Sequence, residues 1–264
     1  MAELLKGKTA VILGIANRWS IAYAIADAFR REGGKLILTY QSERQRETVE
    51  ELGKSLGAAR VLACDVSDDA QLTRLTEELA ADAPIHTVVH SIAFANREDL
   101  AKPFVETSRA GFQLAQDVSA YSLVAVSRAL LPLMSAGGSI MTLTYLGAVR
   151  VVENYNVMGV AKASLEAAVR YLAYDLGSRN IRVNAISAGA IKTAAARAVK
   201  DFSKFLEATA GAPLRRNTDP AEVADTAVFL ASDLGRGVTG NVIYVDAGFQ
   251  IMAMSMAAGA QTAK

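Results

Sequence analysis

Residues 9–22 read TAVILGIANRWSIA. The short apolar run over 9–13 is typical of a buried strand, and it leads through Gly14 into a helical pattern that begins after Ser20. In this layout, backbone N–H groups and the helix dipole face a bound phosphate, as at a dinucleotide site. The G-x-G-x-x-G spacing is missing, because Ala16 and Ser20 stand where further glycines are usual. An ordinary turn between strand and helix, with Ser20 as the N-cap, therefore stays open as an alternative.

Short apolar runs alternate with longer helical patterns to the end of the chain. Strands are predicted over 9–13, 35–40, 60–64, 87–91, 139–143, 181–186 and 242–245. Helices are predicted over 20–31, 43–56, 69–80, 108–133, 155–177 and 220–232. This alternation implies crossover connections and a parallel sheet covered on both faces. We expect an α/β fold, a Rossmann-type doubly wound parallel sheet of about seven strands. Because no linker divides the chain, we expect one domain over 1–264.

Composition and charge exclude several classes of function. A net charge of +1 gives no bulk attraction to nucleic acid or to a membrane surface, so neither is an expected partner. The one cysteine, Cys64, excludes an internal disulfide and indicates a reducing compartment. With two histidines, His86 and His90, and one cysteine, no metal site is expected. No apolar run reaches about 18 residues and no signal-peptide pattern is present, so we expect a soluble cytoplasmic protein.

Tyr155 and Lys162 lie seven residues apart in a predicted helix. A helix turns by about 100° per residue, so this step returns to nearly the same face, roughly 10 Å further along the axis. A phenol can donate a hydrogen bond to a developing oxyanion, and a nearby cation favours the ionised form of the phenol. The alternative is a tyrosine packed on the core and a lysine that extends to water. The rest of the chain favours the catalytic interpretation.

The residue that reads the adenosine ribose in a dinucleotide fold follows the second strand. Here the sequence reads QSERQR over residues 41–46. Gln41 can bond a ribose hydroxyl, whereas Arg44 or Arg46 could accommodate a 2′-phosphate. These arginines are equally well explained as the solvated face of the next helix. NADH is favoured, since no cation lies directly at the strand end, and NADPH stays open.

Other strands also end in residues that suit a ligand, since open α/β sheets bind ligands at the carboxyl ends of their strands. Asp65 can accept from an adenine amino group while Val66 flanks the ring, although an aspartate there also simply starts a turn. The small-residue run SIAFA over 91–95 lets backbone approach a ligand. Tyr145 follows the fifth strand and faces the same crevice, or else covers the core. His90 lies within a strand and is better explained as a core histidine than as a catalyst.

Five motifs occur in order along the chain. They are Gly14-x5-Ser20-Ile21-Ala22, Ser91-Ile92-Ala93-Phe94, Leu143-Thr144-Tyr145-Leu146-Gly147, Asn154-Tyr155-Asn156-Val157-Met158-Gly159-x2-Lys162 and Arg182-Val183-Asn184-Ala185-Ile186-Ser187-Ala188-Gly189. Together they closely resemble the bacterial enoyl-acyl-carrier-protein reductases of the triclosan-sensitive type, a divergent branch of the short-chain dehydrogenase/reductase superfamily. The resemblance covers residues 5–252. Its discriminating element is the Y-x6-K spacing, because most of the superfamily uses Y-x3-K and Gly159 occupies the nearer position here. The chain departs from the family pattern at Ala190 and Glu153, where proline is usual, and at Lys192, where arginine is usual.

The resemblance implies an NAD(P)H-dependent reductase of fatty acid elongation. Hydride would pass to the β-carbon of a trans-2-enoyl thioester, and an enolate would form at the thioester carbonyl. The implied catalytic residues are Tyr155, Lys162 and Tyr145. The implied cofactor contacts are Gly14, Ser20, Ile21, Gln41, Asp65, Val66, Ser91, Ile92, Ala93, Lys162, Ile191 and Thr193. The implied substrate contacts are Phe94, Leu100, Tyr145, Tyr155, Met158, Ala196, Val199 and Phe202.

The same resemblance implies partners and an assembly. The enoyl thioester would be carried on acyl carrier protein, residues 193–206 would form a mobile substrate-binding loop, and the enzyme would be a homotetramer. Arg197, Lys200 and Lys204 fall at helical spacing. They are either a surface that meets the acidic carrier protein or, as we favour, a solvated face.

Two other functions stay open on the sequence. A carbonyl reductase or alcohol dehydrogenase of the same fold is the first, because a fold does not fix a function, and the Y-x6-K spacing argues against it. A cofactor-binding regulatory protein without turnover is the second. Such a protein would have little need to keep Tyr155, Lys162 and Tyr145 together.

Overall fold

The computed structural model describes residues 3–193 and 202–253. Seven strands form one parallel sheet in the order β3-β2-β1-β4-β5-β6-β7. The strands are β1 Thr9–Leu13, β2 Lys35–Tyr40, β3 Arg60–Ala63, β4 Thr87–His90, β5 Gly138–Thr144, β6 Ile181–Ala188 and β7 Val242–Val245. Each predicted strand is present, with ends within two residues of the prediction. The strand order reverses between β1 and β4, where this type of sheet leaves a crevice at the carboxyl ends.

The part of the chain that the structure describes contains nine α-helices. They are α1 Ile21–Arg31, α2 Glu43–Leu56, α3 Asp69–Leu79, α4 Arg97–Ala101, α5 Arg109–Gln116, α6 Ser122–Leu130, α7 Asn156–Gly177, α8 Phe202–Thr209 and α9 Pro220–Ala231. Four begin at a residue whose side chain caps the first turn: Ser20, Asp68, Ser108 and Asp219. No helix within these two ranges combines the length and apolar character needed to cross a membrane.

The sheet is buried on both faces, as its continuous apolar strands predict. On one face, Ile25 and Phe29 of α1 pack with Val223 of α9 against the strands. On the other face, Leu75 of α3 and Leu165 of α7 belong to a second buried cluster. The carboxyl ends of the strands lie between the two layers of helices, and the candidate site is located there.

The helix predicted over 108–133 is interrupted, and that prediction is corrected. Helices α5 and α6 are joined by a π-helical turn over Asp117–Tyr121. The wider turn brings Ser119 to the segment after β4, where its Oγ accepts from Phe94 N (2.9 Å) and donates to Phe94 O (2.9 Å). The Ser122 Oγ donates to Val118 O at 2.7 Å and lies 2.8 Å from His90 Nε2. The apolar periodicity of the sequence does not predict these side-chain contacts.

Two short helices, α4 and α8, were not predicted from the sequence. Residues 194–201 of the predicted loop over 193–206 lie outside the described residues. Its last part is helical, since α8 begins at Phe202 and continues to Thr209. The run from Ser203 to Ala208 contains no glycine or proline, so a helix is compatible with its local sequence.

Candidate active site

A cavity of about 800 Å³ lies at the carboxyl ends of β1, β4, β5 and β6. This volume is in the range of ligand sites in proteins. Its lining comes mainly from the segments that follow the strands and from α7, with single residues of other helices. The residues are Gly14, Ile15, Ala16, Ser20, Ile21, Thr39, Gln41, Gln45, Cys64, Val66, Ser91, Ile92, Ala93, Phe94, Ala95, Asn96, Arg97, Leu100, Val118, Leu143, Thr144, Tyr145, Val152, Tyr155, Met158, Lys162, Ala188, Gly189, Ala190, Ile191, Thr193 and Phe205.

The cavity brings together most of the residues that the sequence singled out. Asp65 does not line it directly but contacts it through a hydrogen bond to Gln41. Ala196 and Val199 lie outside the described residues, as do Arg197 and Lys200. Phe202 begins α8, and its side chain also lies outside them. We refer below to the β2–β3 end of the cavity (Gln41, Asp65, Val66) and to its β5–α7 end (Tyr145, Tyr155, Lys162).

The turn after β1 requires glycine. Gly14 has φ +91°, and a Cβ there would overlap the backbone oxygen of Ser91 at the end of β4. The backbone segments that follow β1 and β4 therefore approach each other closely in front of α1. Ser20 caps this helix, since its Oγ accepts from Tyr23 N at 3.2 Å. The N-cap alternative for Ser20 is thus correct, and a second role as a phosphate ligand is compatible with its position in the lining.

At the β2–β3 end, two polar side chains bond each other. The Gln41 Nε2 donates to Asp65 Oδ2 at 3.0 Å, and Ser67 donates to Asp65 Oδ1 from both its backbone N and its Oγ. Burial opposes ionisation of Asp65, but these hydrogen bonds outweigh it and hold the pKa of Asp65 below its ordinary value. Val66 is buried and lines the cavity beside them. Carboxylate, amide and apolar surface together suit an adenosine.

Arg44 and Arg46 follow β2 and lie in the first turn of α2. Arg46 is ion-paired with Glu50 (2.8 Å) and Glu43 (3.5 Å) on the exposed side of α2. The interpretation as a solvated helix face therefore fits Arg46. Arg44 is also exposed.

At the β5–α7 end, two tyrosines meet edge to face. The ring centroids of Tyr145 and Tyr155 are 5.1 Å apart at an interplanar angle of 68°, an arrangement that aromatic pairs prefer. Burial raises the pKa of Tyr145 and of Tyr155, and the neighbouring Tyr145 phenol raises the pKa of Tyr155 further. Burial therefore outweighs any effect of a nearby cation on the ionisation of Tyr155. Tyr155 is a protonated hydrogen-bond donor at neutral pH.

Lys162 lies inside the protein, with 5% of its surface exposed. Its Nζ donates to the backbone oxygen of Leu143 at 2.7 Å. Burial lowers the pKa of Lys162 to about 8, and the charge of Glu166 opposes this shift. The alternative of a lysine that extends to water is therefore wrong. The ammonium is directed at the end of β5, within the lining that also contains Tyr155.

Backbone conformation explains the residues around Tyr155. Asn154 and Asn156 have φ values of +61° and +36°, in the left-handed region that asparagine tolerates better than most residues. The Asn156 Nδ2 also donates to Leu100 O (2.9 Å) and to Lys102 O (2.7 Å), which ties α4 to the start of α7. Tyr155 itself precedes the first residue of α7 and so faces the cavity from the helix end.

Gly159 accounts for the unusual tyrosine–lysine spacing. A Cβ at Gly159 would lie 2.8 Å from the backbone oxygen of Gly147, and a Cβ at Gly147 would overlap the Tyr155 ring. The turn after β5 therefore lies directly against α7 at the position where Y-x3-K proteins carry their lysine. Lys162, almost one turn further on, lies beyond this contact, where its Nζ bonds Leu143 O.

An apolar pocket lies beside Tyr155. Leu100 and Met158 are buried in a small cluster with Val157, against which Tyr155 packs. Phe94 is half exposed at the same mouth of the cavity. These surfaces suit an acyl chain.

Several lining residues were missed by the sequence. Phe205 of α8 packs on Tyr145 with ring centroids 6.2 Å apart, and it lies in the segment that was predicted as a loop. The Gln45 Oε1, in the first turn of α2, accepts from the backbone N of Gln41, which precedes the N-cap Ser42, at 3.1 Å. His90, in contrast, is the core histidine that was expected: it is fully buried between Thr142 and Ser122, and burial lowers its pKa to about 3.

The donor set fits a dinucleotide. Across the sheet, the Gln41–Asp65 pair, the Gly14 turn and the Lys162 ammonium follow one another in the order expected for adenosine, pyrophosphate and nicotinamide ribose. Among the described residues, no three His, Cys, Asp or Glu side chains are grouped so that they could hold a metal ion.

Comparison with known proteins agrees with this geometry. A model of the family described as enoyl-(acyl carrier protein) reductase matches residues 14–250. The chain belongs to the enoyl-acyl-carrier-protein reductase family. The reductase is similar to the Bacillus cereus enoyl-acyl-carrier-protein reductase named for NADH, at 56% identity over 95% of this chain and 99% of the relative. It is also similar to the Staphylococcus aureus protein named for NADPH, at 52% identity over 93% of this chain and 97% of the relative.

Solved structures support the same assignment for the fold of the reductase. A Bacillus cereus enoyl-acyl-carrier-protein reductase with NADP+ and indole naphthyridinone gives a TM-score of 0.93 at 56% identity, over 95% of this chain and 99% of that one. An Anaplasma phagocytophilum reductase in complex with NAD gives a TM-score of 0.93 at 42% identity, over 98% and 97%. The reductase is an oxidoreductase with a Rossmann-like α/β fold.

Proposed function

We propose that the reductase uses Tyr155 and Lys162 to reduce the C=C bond of a trans-2-enoyl thioester carried on acyl carrier protein, the reductive step of fatty acid elongation. The observation that carries this proposal is the pair formed by Tyr155, at the start of α7, and Lys162, within α7, in one cavity with the glycine turn after β1. NADH, when bound, supplies the hydride. The alternative carbonyl reductase of the same fold has no comparable support from the spacing of this pair.

Tyr155 acts as the hydrogen-bond donor. Its phenol stays protonated because burial raises its pKa, so it can donate to the thioester oxygen as negative charge develops there. Tyr145 contributes its ring, which fixes Tyr155 by the edge-to-face contact and covers the reacting region together with Phe205. An interaction that strengthens in the transition state accelerates the chemical step rather than binding.

Lys162 holds the cofactor and contributes positive charge. Its Nζ donates to Leu143 O at 2.7 Å, and the same donor would bond the nicotinamide ribose hydroxyls. Ser20 and Thr193 would contact the pyrophosphate, and Ile191 would lie against the carboxamide. Gly14, Ile21, Ser91, Ile92 and Ala93 complete this half with backbone and small apolar surfaces.

Gln41, Asp65 and Val66 would hold the adenosine. NADH is favoured, because the Gln41–Asp65 pair presents an amide and a carboxylate at the ribose and no cation. Relatives named for NADH and for NADPH both occur at about half identity, so the preference within the family varies between close relatives.

Leu100, Met158 and Phe94 would contact the acyl chain. Ala196, Val199 and Phe202 are proposed for the same pocket from the sequence. A substrate-binding loop over about 193–206 within a single domain, a homotetramer and a cytoplasmic location also remain predictions from the sequence.

The phenol of Tyr155 provides the sharpest test of this function. We expect Tyr155→Phe to lower kcat with a crotonyl thioester by about 100-fold, the usual loss of one oxyanion donor, while the Kd for NADH changes little. Tyr171→Phe is the matched control, because it removes an exposed phenol from the same helix. Unchanged turnover in Tyr155→Phe, or oxidation of NADH with a ketone but not with the enoyl thioester, would contradict the proposal.

A further inference from the structure

Glu166 is a buried charged residue to which the mechanism above gives no role. It lies on α7 one turn after Lys162, with 6% of its surface exposed. A four-residue step on a helix places both side chains on the same face. Burying a carboxylate is costly unless it is bonded and paired, so its position calls for a physical reason.

Two hydrogen bonds join this face of α7 to the end of β5. The Thr144 Oγ1 donates to Glu166 Oε1 at 2.7 Å, and the Lys162 Nζ donates to Leu143 O at 2.7 Å. The two β5 residues are consecutive, and the next residue is Tyr145, whose ring meets Tyr155. Movement of the strand end relative to the helix would therefore disturb both the lysine and the tyrosine pair.

We propose that Glu166 is a positioning residue for the reaction, which keeps the Lys162 amine charged and, through Thr144, holds the end of β5 against α7. This inference rests on the proposed role of Lys162 in binding the cofactor. It assigns a function to Glu166, whose side chain lies one turn after Lys162 on the same face of α7.

The electrostatic part concerns the groups that face Lys162. Burial lowers the pKa of Lys162 to about 8, and the Glu166 charge opposes that effect from the next turn. His90 on β4 is neutral, since burial lowers its pKa to about 3. Without Glu166, the lysine would lose its proton at a lower pH.

The groups that face Glu166 act on its pKa in opposite directions. Burial has the largest effect and raises the pKa of Glu166 overall, while the hydrogen bond from Thr144 and the charges of Arg170 and Lys162 oppose this shift in part. Tyr244 on β7 faces the carboxylate as an uncharged phenol, because burial and the charge of Glu166 raise its pKa.

The test is Glu166→Gln, measured by the pH dependence of NADH binding in fluorescence titrations. The amide oxygen of the variant can still accept from Thr144, so the substitution removes mainly the charge. We expect the loss of affinity at alkaline pH to begin about 0.5–1 pH unit lower than in the unmodified reductase, with kcat/KM for NADH shifted equally. The matched control Asp175→Asn removes an exposed carboxylate from the same helix and should leave both profiles in place.

Thr144→Val tests the positioning part if the glutamine variant folds poorly. It keeps the Glu166 charge but removes the hydrogen bond, and we expect kcat to fall about threefold or more with little change of the alkaline limb. Wild-type pH profiles in Glu166→Gln, or an unchanged kcat in Thr144→Val, would overturn the inference. If Lys162→Met itself left NADH binding unchanged, the proposed role of Lys162 would fail instead, so the two failures are distinguishable.

Discussion

At the β2–β3 end of the cavity, Gln41 and Asp65 bond each other near the surface, whereas at the β5–α7 end Tyr155 and Lys162 are enclosed by protein. The first environment stabilises charge, because hydrogen bonds lower the pKa of Asp65. The second works against charge, because burial raises the pKa of Tyr155 and lowers that of Lys162. Recognition of a polar ligand needs only the first kind of environment. Chemistry that depends on a protonated phenol is favoured by the second, which opposes ionisation of Tyr155.

This difference also affects tolerance to substitution. Surface pairs typically contribute little, since solvent replaces a lost partner. Buried groups lose partners that solvent cannot replace, so each substitution is more costly. We therefore expect side-chain changes at the β2–β3 end to alter cofactor preference modestly, and changes at the β5–α7 end to cause larger losses of binding or turnover.

The largest effect is expected from a change in the backbone, which belongs to neither set of side chains. Gly14→Ala would place a Cβ on the Ser91 backbone oxygen at a positive φ. We expect the Kd for NADH to rise by more than about 100-fold, with a lower Tm, because the turn must move. Fluorescence titration and thermal unfolding measure both.

Gly57→Ala is the control for backbone strain alone. Gly57 also has a positive φ, +63°, but a Cβ there would meet nothing within 4 Å. It should cost about 1 kcal/mol of stability and leave NADH binding intact. Equal NADH affinities in the two alanine variants would show that the Gly14 turn does not contact the cofactor.

The next effect sharpens the comparison at the buried end. Lys162→Met should weaken NADH binding by about 30-fold, equivalent to about 2 kcal/mol, because a charge-assisted donor to the ribose is lost.

The same variant should change the pH dependence of stability. The folded protein holds the Lys162 proton with a pKa of about 8, below the ordinary value of 10.5. Unfolding therefore binds a proton between these pH values, and the lysine makes the free energy of unfolding rise with pH. We expect that free energy, relative to Lys162→Met, to rise on the order of 2–3 kcal/mol between pH 8 and 10.5. Urea unfolding across this range measures it, and parallel curves for the two proteins would contradict the burial of a titrating amine.

The smallest effect belongs to the exposed end. Gln41→Arg adds a cation beside Asp65, and we expect the ratio of kcat/KM for NADPH to that for NADH to rise about tenfold while kcat stays constant. Arg44→Gln should leave the ratio unchanged if Arg44 belongs to the solvated face of α2. A fall in NADPH use in Arg44→Gln would instead assign Arg44 to the 2′-phosphate.

Much of the fold follows from periodicity. The seven strands were predicted because fully buried parallel strands have continuous apolar sequences, as in β1. The π turn over Asp117–Tyr121 was not, because it depends on Ser119 meeting Phe94, 25 residues away in sequence. The short helix α4 was missed for a similar reason, since its place is fixed by contacts such as Asn156 with Leu100 O.

Much of the candidate site was also predicted, because the ends of parallel strands converge at one edge. Phe205 was missed, since a contact with Tyr145 across 60 residues leaves no local pattern. The ionisation state of Tyr155 was not predictable from the sequence. Spacing shows that a cation is near, but the pKa of a phenol depends on how completely protein replaces water around it.

The sequence by itself determined the order of strands and helices, the glycine turn at Gly14 and the seven-residue step from Tyr155 to Lys162, because each is a local property of the chain. The tertiary structure alone decided that Gly159 must lie bare against Gly147, that Glu166 lies buried behind Lys162, and that Tyr155 keeps its proton. These features depend on which distant groups exclude water, and only the folded chain brings those groups together.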